Sequence, residues 1–267
     1  MFALRSRLLQ ALGVNAVPAW GVLVGGWAPA TGLFLFFADS VVNGALLAVR
    51  IALHRAWTGK RGHFRRHLGE AMKMSVAAGG KRKEIAPPGT LLAEVLAHLL
   101  LTCTAQGGML LLLIGWAAVP ASDRERLPLA LATMGVLQVG GFLLDLPGLR
   151  ARSFLSVKDQ AERFTGRVAM LHLVILLGFW FAASRGNPQA LFGIFAVLKA
   201  LADLGALMPR WRPDAERPPG WLALSARAFG RRESLEAVWS RMAGDLAAAE
   251  ERDEEIFPGH PAAKRKR

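Results

Sequence analysis

Apolar residues in this chain come in long unbroken runs, not in the alternating or one-in-three patterns of a soluble fold. The runs fall at residues 8–27, 30–53, 90–119, 127–146, 165–183 and 188–208, rich in Leu, Val, Ala, Phe and Trp. A helix rises 1.5 Å per residue, so about 20 apolar residues cover a hydrocarbon core of about 30 Å. The pattern predicts an all-α, polytopic membrane protein with six transmembrane helices over residues 1–208. Pro18 sits inside the first run, Ala28 and Pro29 predict a tight turn after it, and Pro188 opens the sixth at a natural helix start. The third run exceeds the length needed and predicts a tilted helix or an exposed first turn.

The polar segments carry the remaining organisation. Residues 54–89 read as a cytoplasmic loop, basic at both ends, with a short interfacial amphipathic helix over 64–76. Residues 149–164 read as a polar connection with a short surface helix, after a stop at Pro147 and Gly148. Residues 209–267 form a cytoplasmic tail. It has a Pro/Arg linker at 209–220 and amphipathic helix over 221–256, with Leu235, Val238, Trp239, Met242 and Leu246 at helical spacing. An acidic run, Glu250 to Glu255, precedes a basic end, Lys264 to Arg267.

Charge fixes an orientation. Segment 50–89 holds Arg50, Arg55, Lys60, Arg61, Arg65, Arg66, Lys73, Lys81, Arg82 and Lys83, and segment 147–167 holds Arg150, Arg152, Lys158, Arg163 and Arg167. The turns on the other side hold only Arg124, Arg126 and Arg185. By the positive-inside rule both termini are cytoplasmic. Arg5 and Arg7 before an apolar run resemble a signal peptide, but the apolar character continues to Trp27, which favours an uncleaved first span.

The net charge of +13 therefore reflects the inner faces of a membrane protein, and no nucleic-acid motif accompanies it. Lys60, Arg61, Arg65, Arg66, Lys81, Arg82 and Lys83 form a face suited to anionic lipid headgroups. Cys103 is the single cysteine, so no internal disulfide forms, and with no tyrosine any aromatic belt uses Trp and Phe.

Ionisable residues within spans cost about 2.5–3.5 kcal/mol each on insertion scales, so they mark sites. Asp39, His98, His172, Lys199 and Asp203 lie within runs, and Glu94 and Asp145 read as wet residues near the cytoplasmic ends. Asp39 and Lys199 each fall ten or eleven residues in from the outer side, and Asp203 shares a helix face with Lys199. The depths predict a cluster of Asp39, Lys199, Asp203 and His172, with Asn43, Gln138 and His98 near it. One reading is a proton or ion relay, or a pocket for a charged ligand. The other is an ion-pair network that fixes helix register.

Other chemistry is poorly represented. Two histidines on separate helices are a weak signal for haem, and no cofactor is expected. His54, His63 and His67 read as part of a solvated basic face, with no metal expected, because Arg65 and Arg66 oppose a cation. Nucleophile-elbow, zinc-protease and phosphate-loop motifs are missing, so an enzyme is not the first expectation. The pairs Gly25-Gly26, Gly107-Gly108 and Gly140-Gly141 are expected at close helix contacts.

Two blocks carry a family resemblance. Asn15 to Pro18, Gly21 and Trp27, followed by Phe36-Phe37-Ala38-Asp39-Ser40 and Asn43-Gly44, form the first; Arg167 to His172, Gly178 and Lys199 to Leu204 form the second. With Gln138 to Leu146 between them, they resemble a bacterial multi-pass membrane family, domain of unknown function 6498, over residues 8–208. The family pattern has Tyr-Trp and an acidic residue where this chain has Phe36-Phe37-Ala38-Asp39. The resemblance implies a six-helix inner-membrane protein with recurring polar positions at Asp39, His172, Lys199 and Asp203. The first functional expectation is a small transporter-like or ligand-binding membrane protein. The alternative is a structural subunit whose tail recruits a protein partner.

Overall fold

The computed structural model describes residues 2–64, 90–116, 120–185, 188–205, 235–258 and 260–261. These residues form α1 (Phe2–Leu23), α2 (Pro29–Thr58), a 3-10 turn (Arg61–Phe64), α3 (Leu91–Trp116), α4 (Ala121–Leu149), α5 (Phe154–Arg185), α6 (Pro188–Gly205) and α7 (Leu235–Glu254). Among them there is no strand, only an isolated antiparallel bridge between Lys60 and Ile256. The interfacial helix expected at 64–76, the linker at 209–220 and the basic end at 264–267 lie almost wholly outside the described residues.

α2 is the central helix, packed against α1, α3, α4, α5 and α6. Its start follows local rules. Gly26 takes φ of 69°, Ala28 is extended, and Pro29 occupies the first turn, where its missing N–H is not needed. The Asp123 carboxylate accepts from Ala28 N–H at 2.8 Å and Thr31 Oγ1 at 2.6 Å. Asp123 is thus a buried cap for the α1–α2 turn. At the other end Gly59 is left-handed, φ 60°, and its N–H returns to Arg55 O at 3.0 Å.

α5 differs from expectation. It is one continuous helix that absorbs the segment read as a separate surface helix. Phe154, Val157, Ala161, Phe164 and Val168 recur every three or four residues and all are buried. Ser153 Oγ accepts from Ser156 N–H at 3.1 Å, which starts the helix there. α4 likewise runs through Pro147 to Leu149 before a short turn. Of the glycine pairs, Gly141 meets Gln10 and Gly25 lies against Gly21, but Gly108 and Gly140 face open space. Tight helix contacts occur at Gly32, where a Cβ would strike Phe192 and Val22, and at Gly44, where it would strike Leu99 and Phe164.

Among the described residues, three helices are long and apolar enough to cross a membrane: Pro29–Thr58, Leu91–Gly108 and Ala121–Leu149. Six runs were expected; the described residues of α1, α5 and α6 add no further span to these three. The surface supports membrane association: Leu96, Leu100 and Leu101 on α3, Leu129, Val136 and Leu144 on α4, and Ile194, Val197 and Leu201 on α6 are exposed. Contiguous apolar surface of this kind is unusual on a water-soluble monomer.

The tail returns to the bundle. Phe257 N–H donates to Gly59 O at 2.8 Å, Arg61 N–H donates to Glu255 O at 2.6 Å, and Phe257 stacks on Phe64. Beneath this strap lie His54 and His63, which are fully buried, with Nδ1 of His54 2.6 Å from Nε2 of His63. The expected solvated histidine face is therefore corrected for these two. Gly59 reverses the chain, and His63 tucks its ring against Phe154. His67 lies outside the described residues.

Candidate functional site

Three apolar clusters bracket a polar layer at the middle of the bundle. Phe36, Phe192 and Phe195 form one, Val14, Leu35 and Met134 a second, and Ile51, Val95, Leu149, Phe154 and Val157 lie in the third, nearer the 3-10 turn. Between them Asp39, Gln138, Lys199 and Asp203 are buried. Asp39 lies ten residues into α2 and Lys199 eleven into α6, roughly 15–16 Å along helices that start at the same end.

Lys199 organises the layer. Its Nζ stands 2.8 Å from Asp39 Oδ2 and 2.8 Å from Asp203 Oδ2, and donates to Asn15 Oδ1 at 3.0 Å. It also sits 5.0 Å from the centre of the Phe36 ring. Two of its three donors go to Asn15 Oδ1 and Asp203 Oδ2, while Asp39 Oδ2 is held as an ion pair without a hydrogen bond. Asp39 Oδ1 accepts from Asn43 Nδ2 at 2.8 Å and from Gln138 Nε2. Asp203 accepts from Asn15 Nδ2 at 2.7 Å and pairs with Arg167 Nη1 at 2.8 Å. Two carboxylates thus meet two cations, which offsets the cost of holding charge away from water.

Five of the seven expected cluster residues therefore come together: Asp39, Asn43, Gln138, Lys199 and Asp203. The two histidines do not join them. His172 Nδ1 donates to Val168 O one turn back, at 2.8 Å. His98 is half-buried on α3, a helix that contributes nothing to the cavity below. Asn15 and Arg167 were missed as cluster members, although both stand in the two blocks that carried the family resemblance. They are polar residues in apolar helices, and at that position each is a signal.

A cavity of about 230 Å³ opens beside the layer. Each helix contributes one stripe at helical spacing: Asp39, Asn43 and Arg50 from α2; Gln138, Phe142 and Asp145 from α4; Gln160, Arg163 and Arg167 from α5. Gln10 and Val14 of α1, Leu46 and Leu47 of α2 and Asp203 of α6 also line it. From Asp39 to Arg50 the cavity follows α2 for about 16 Å, toward the end of the bundle that carries the 3-10 turn.

Asp145 is not the merely wet residue expected. It is half-buried, pairs with Arg152 Nη2 at 2.6 Å, and lies 3.3 Å from Arg50 Nη2. Arg50 Nη1 also donates to Gln160 Oε1 at 3.0 Å. Of the residues assigned to lipid headgroups, Lys60 pairs with Glu254, and Arg61 lies 3.3 Å from Glu255. Arg65, Arg66, Lys81, Arg82 and Lys83 lie outside the described residues. No group of three or more His, Cys, Asp or Glu side chains that could hold a metal ion occurs among the described residues.

A family model described as a family of unknown function, DUF6498, matches residues 2–220. The match covers most of the chain, and the chain belongs to that family. No curated protein and no solved structure matches it.

Proposed function

For this member of the family we propose a small ligand-binding or transporter-like protein of the bacterial inner membrane, with six spans and both termini in the cytoplasm. The observation that carries this reading is the polar cavity that reaches the buried ion-pair layer. A network serving packing alone gains nothing from an adjoining polar space, because each buried polar group there needs a partner or water. The cavity is smaller than the 300–1,000 Å³ typical of drug-sized ligands, which points to a small solute. The competing reading is a structural subunit with a partner-binding tail, in which Lys199 and its carboxylates only fix register.

A thermal-shift screen of detergent-purified protein against ions and small metabolites tests the reading. A ligand at about 100 times its Kd stabilises the folded state by about 2.7 kcal/mol. Leu46→Trp, which places bulk in the cavity without touching the ion pairs, is expected to abolish the shift. Equal shifts in wild type and variant, or none in wild type, would favour the structural reading. Topology is tested separately, in a Cys103→Ala background. A cysteine at Ser122 is expected to react with an impermeant maleimide on spheroplasts, and a cysteine at Ala151 is not. Equal labelling of both would overturn the proposed threading.

A further inference from the structure

His54 and His63 face each other under the tail strap, with both side chains fully buried. Nδ1 of His54 stands 2.6 Å from Nε2 of His63, and Nε2 of His54 stands 3.1 Å from Arg152 O. A carbonyl only accepts, so His54 carries its hydrogen on Nε2, and Nδ1 of the neutral ring is an acceptor. His63 therefore donates from Nε2, and one hydrogen lies between the rings. The pair ties together the end of α2, the 3-10 turn and the α4–α5 turn. The strap is laid over this frame: its backbone bonds reach Gly59 and Arg61, and Phe257 stacks on Phe64, next to His63.

A proton added to His54 has only Nδ1 to occupy, and there it confronts the hydrogen of His63. A proton added to His63 makes an imidazolium in a site closed to water, against the edge of Phe154. The charges that act on His54 are Lys60, Glu254 and Arg152, and Glu254 is already shared between Lys60 and Leu155 N–H. The elements packed around the pair also carry Arg55, Arg61, Glu94, Lys158, Asp159, Asp253, Glu255 and His260. Among these residue types only histidine has an unperturbed titration between pH 5 and 8, so His260, whose ring lies against Gly59, is the group to be separated from the pair.

We propose that His54 and His63 form a proton-operated latch: with both rings neutral the strap is docked, and acidification on the side of the tail releases it. The latch does not depend on what the cavity binds. Docking is at full strength above about pH 6.5, where a released histidine is neutral. As pH falls through that value the released form takes up protons that the docked pair excludes, and docking weakens. One excluded proton corresponds to about tenfold between pH 7.5 and 5.5.

Hydrogen–deuterium exchange of the full-length protein in detergent at these two pH values, corrected for the intrinsic pH dependence of amide exchange, tests it. The Arg61 and Phe257 amides are expected to open about tenfold more often at pH 5.5 in wild type and in His260→Gln, and equally at both pH values in the double variant His54→Gln/His63→Gln. Protection independent of pH in wild type would overturn the latch. So would the same dependence in the double variant, or its loss in His260→Gln, which would move the sensor to the tail. If the double variant does not fold, the ring nitrogens of wild type labelled with 15N-histidine decide. Titration of His54 or His63 in step with opening at Phe257 supports the latch, and two rings that stay neutral while the strap opens would overturn it.

Discussion

Asp39 and Asp203 share one ammonium, and the geometry says what each partner contributes. Lys199 Nζ is 2.8 Å from both carboxylates, whereas Arg167 reaches only Asp203. Replacing Lys199 by Met leaves two buried carboxylates with one cation. Breaking a buried pair in this way costs about 3–5 kcal/mol. Adding Asp39→Asn removes the carboxylate that lost its partner and leaves Asp203 with Arg167. The double variant is therefore expected to be more stable than Lys199→Met alone. Denaturant unfolding in detergent measures it, and a double variant less stable than the single would show that the two groups are not coupled. Asn15 belongs to the same account, since it accepts from Lys199 and donates to Asp203, filling the gap between α1 and α6.

α5 does two jobs with two faces. Phe154, Val157, Ala161, Phe164 and Val168 are buried, while Gln160, Arg163 and Arg167 line the cavity. Phe154 anchors the helix start and meets the His63 ring edge-on at 4.8 Å. Phe154→Ala is expected to cost about 3–5 kcal/mol, read as a lower midpoint in thermal unfolding. Lys158→Ala, whose 3.9 Å pair with Glu162 is partly exposed, is expected to change stability by less than about 0.5 kcal/mol. This helix also shows how far the sequence could be read. Runs of apolar residues revealed α2 and α4, and intramembrane charges revealed Asp39, Lys199 and Asp203. The first half of α5 was taken for a polar connection, because polar residues facing a cavity look, along the chain, like residues facing water. The stripes at 154, 157, 161, 164, 168 and at 160, 163, 167 were legible as helical periodicity, but which stripe faces a cavity depends on the neighbouring helices. His98 and His172 matched the cluster in depth and failed in rotation about the helix axis, which depth does not fix.

At the scale of the whole molecule, the acidic end of α7 ties the tail to the bundle at the end that carries the 3-10 turn. Glu254 pairs with Lys60, and its other oxygen accepts from Leu155 N–H at 3.1 Å, in the first turn of α5. A carboxylate there also meets the positive end of the helix dipole. Lys60 Nζ donates in turn to Arg152 O at 3.1 Å, and Arg152 holds Asp145 on the cavity wall. The tail thus reaches the wall through two side chains. Glu254→Ala removes both attachments of that carboxylate and leaves the backbone bonds of Phe257 and Arg61 to hold the strap. Exchange of the Leu155 and Phe257 amides with deuterium is expected to accelerate about tenfold, equivalent to about 1.4 kcal/mol of local opening. Amides around Asp39, on the far side of the Ile51–Phe154 apolar cluster, are expected to keep their protection. Acceleration at Asp39 as well would show that tail and bundle open as one unit. Unchanged exchange at Leu155 and Phe257 would show that the strap holds without Glu254.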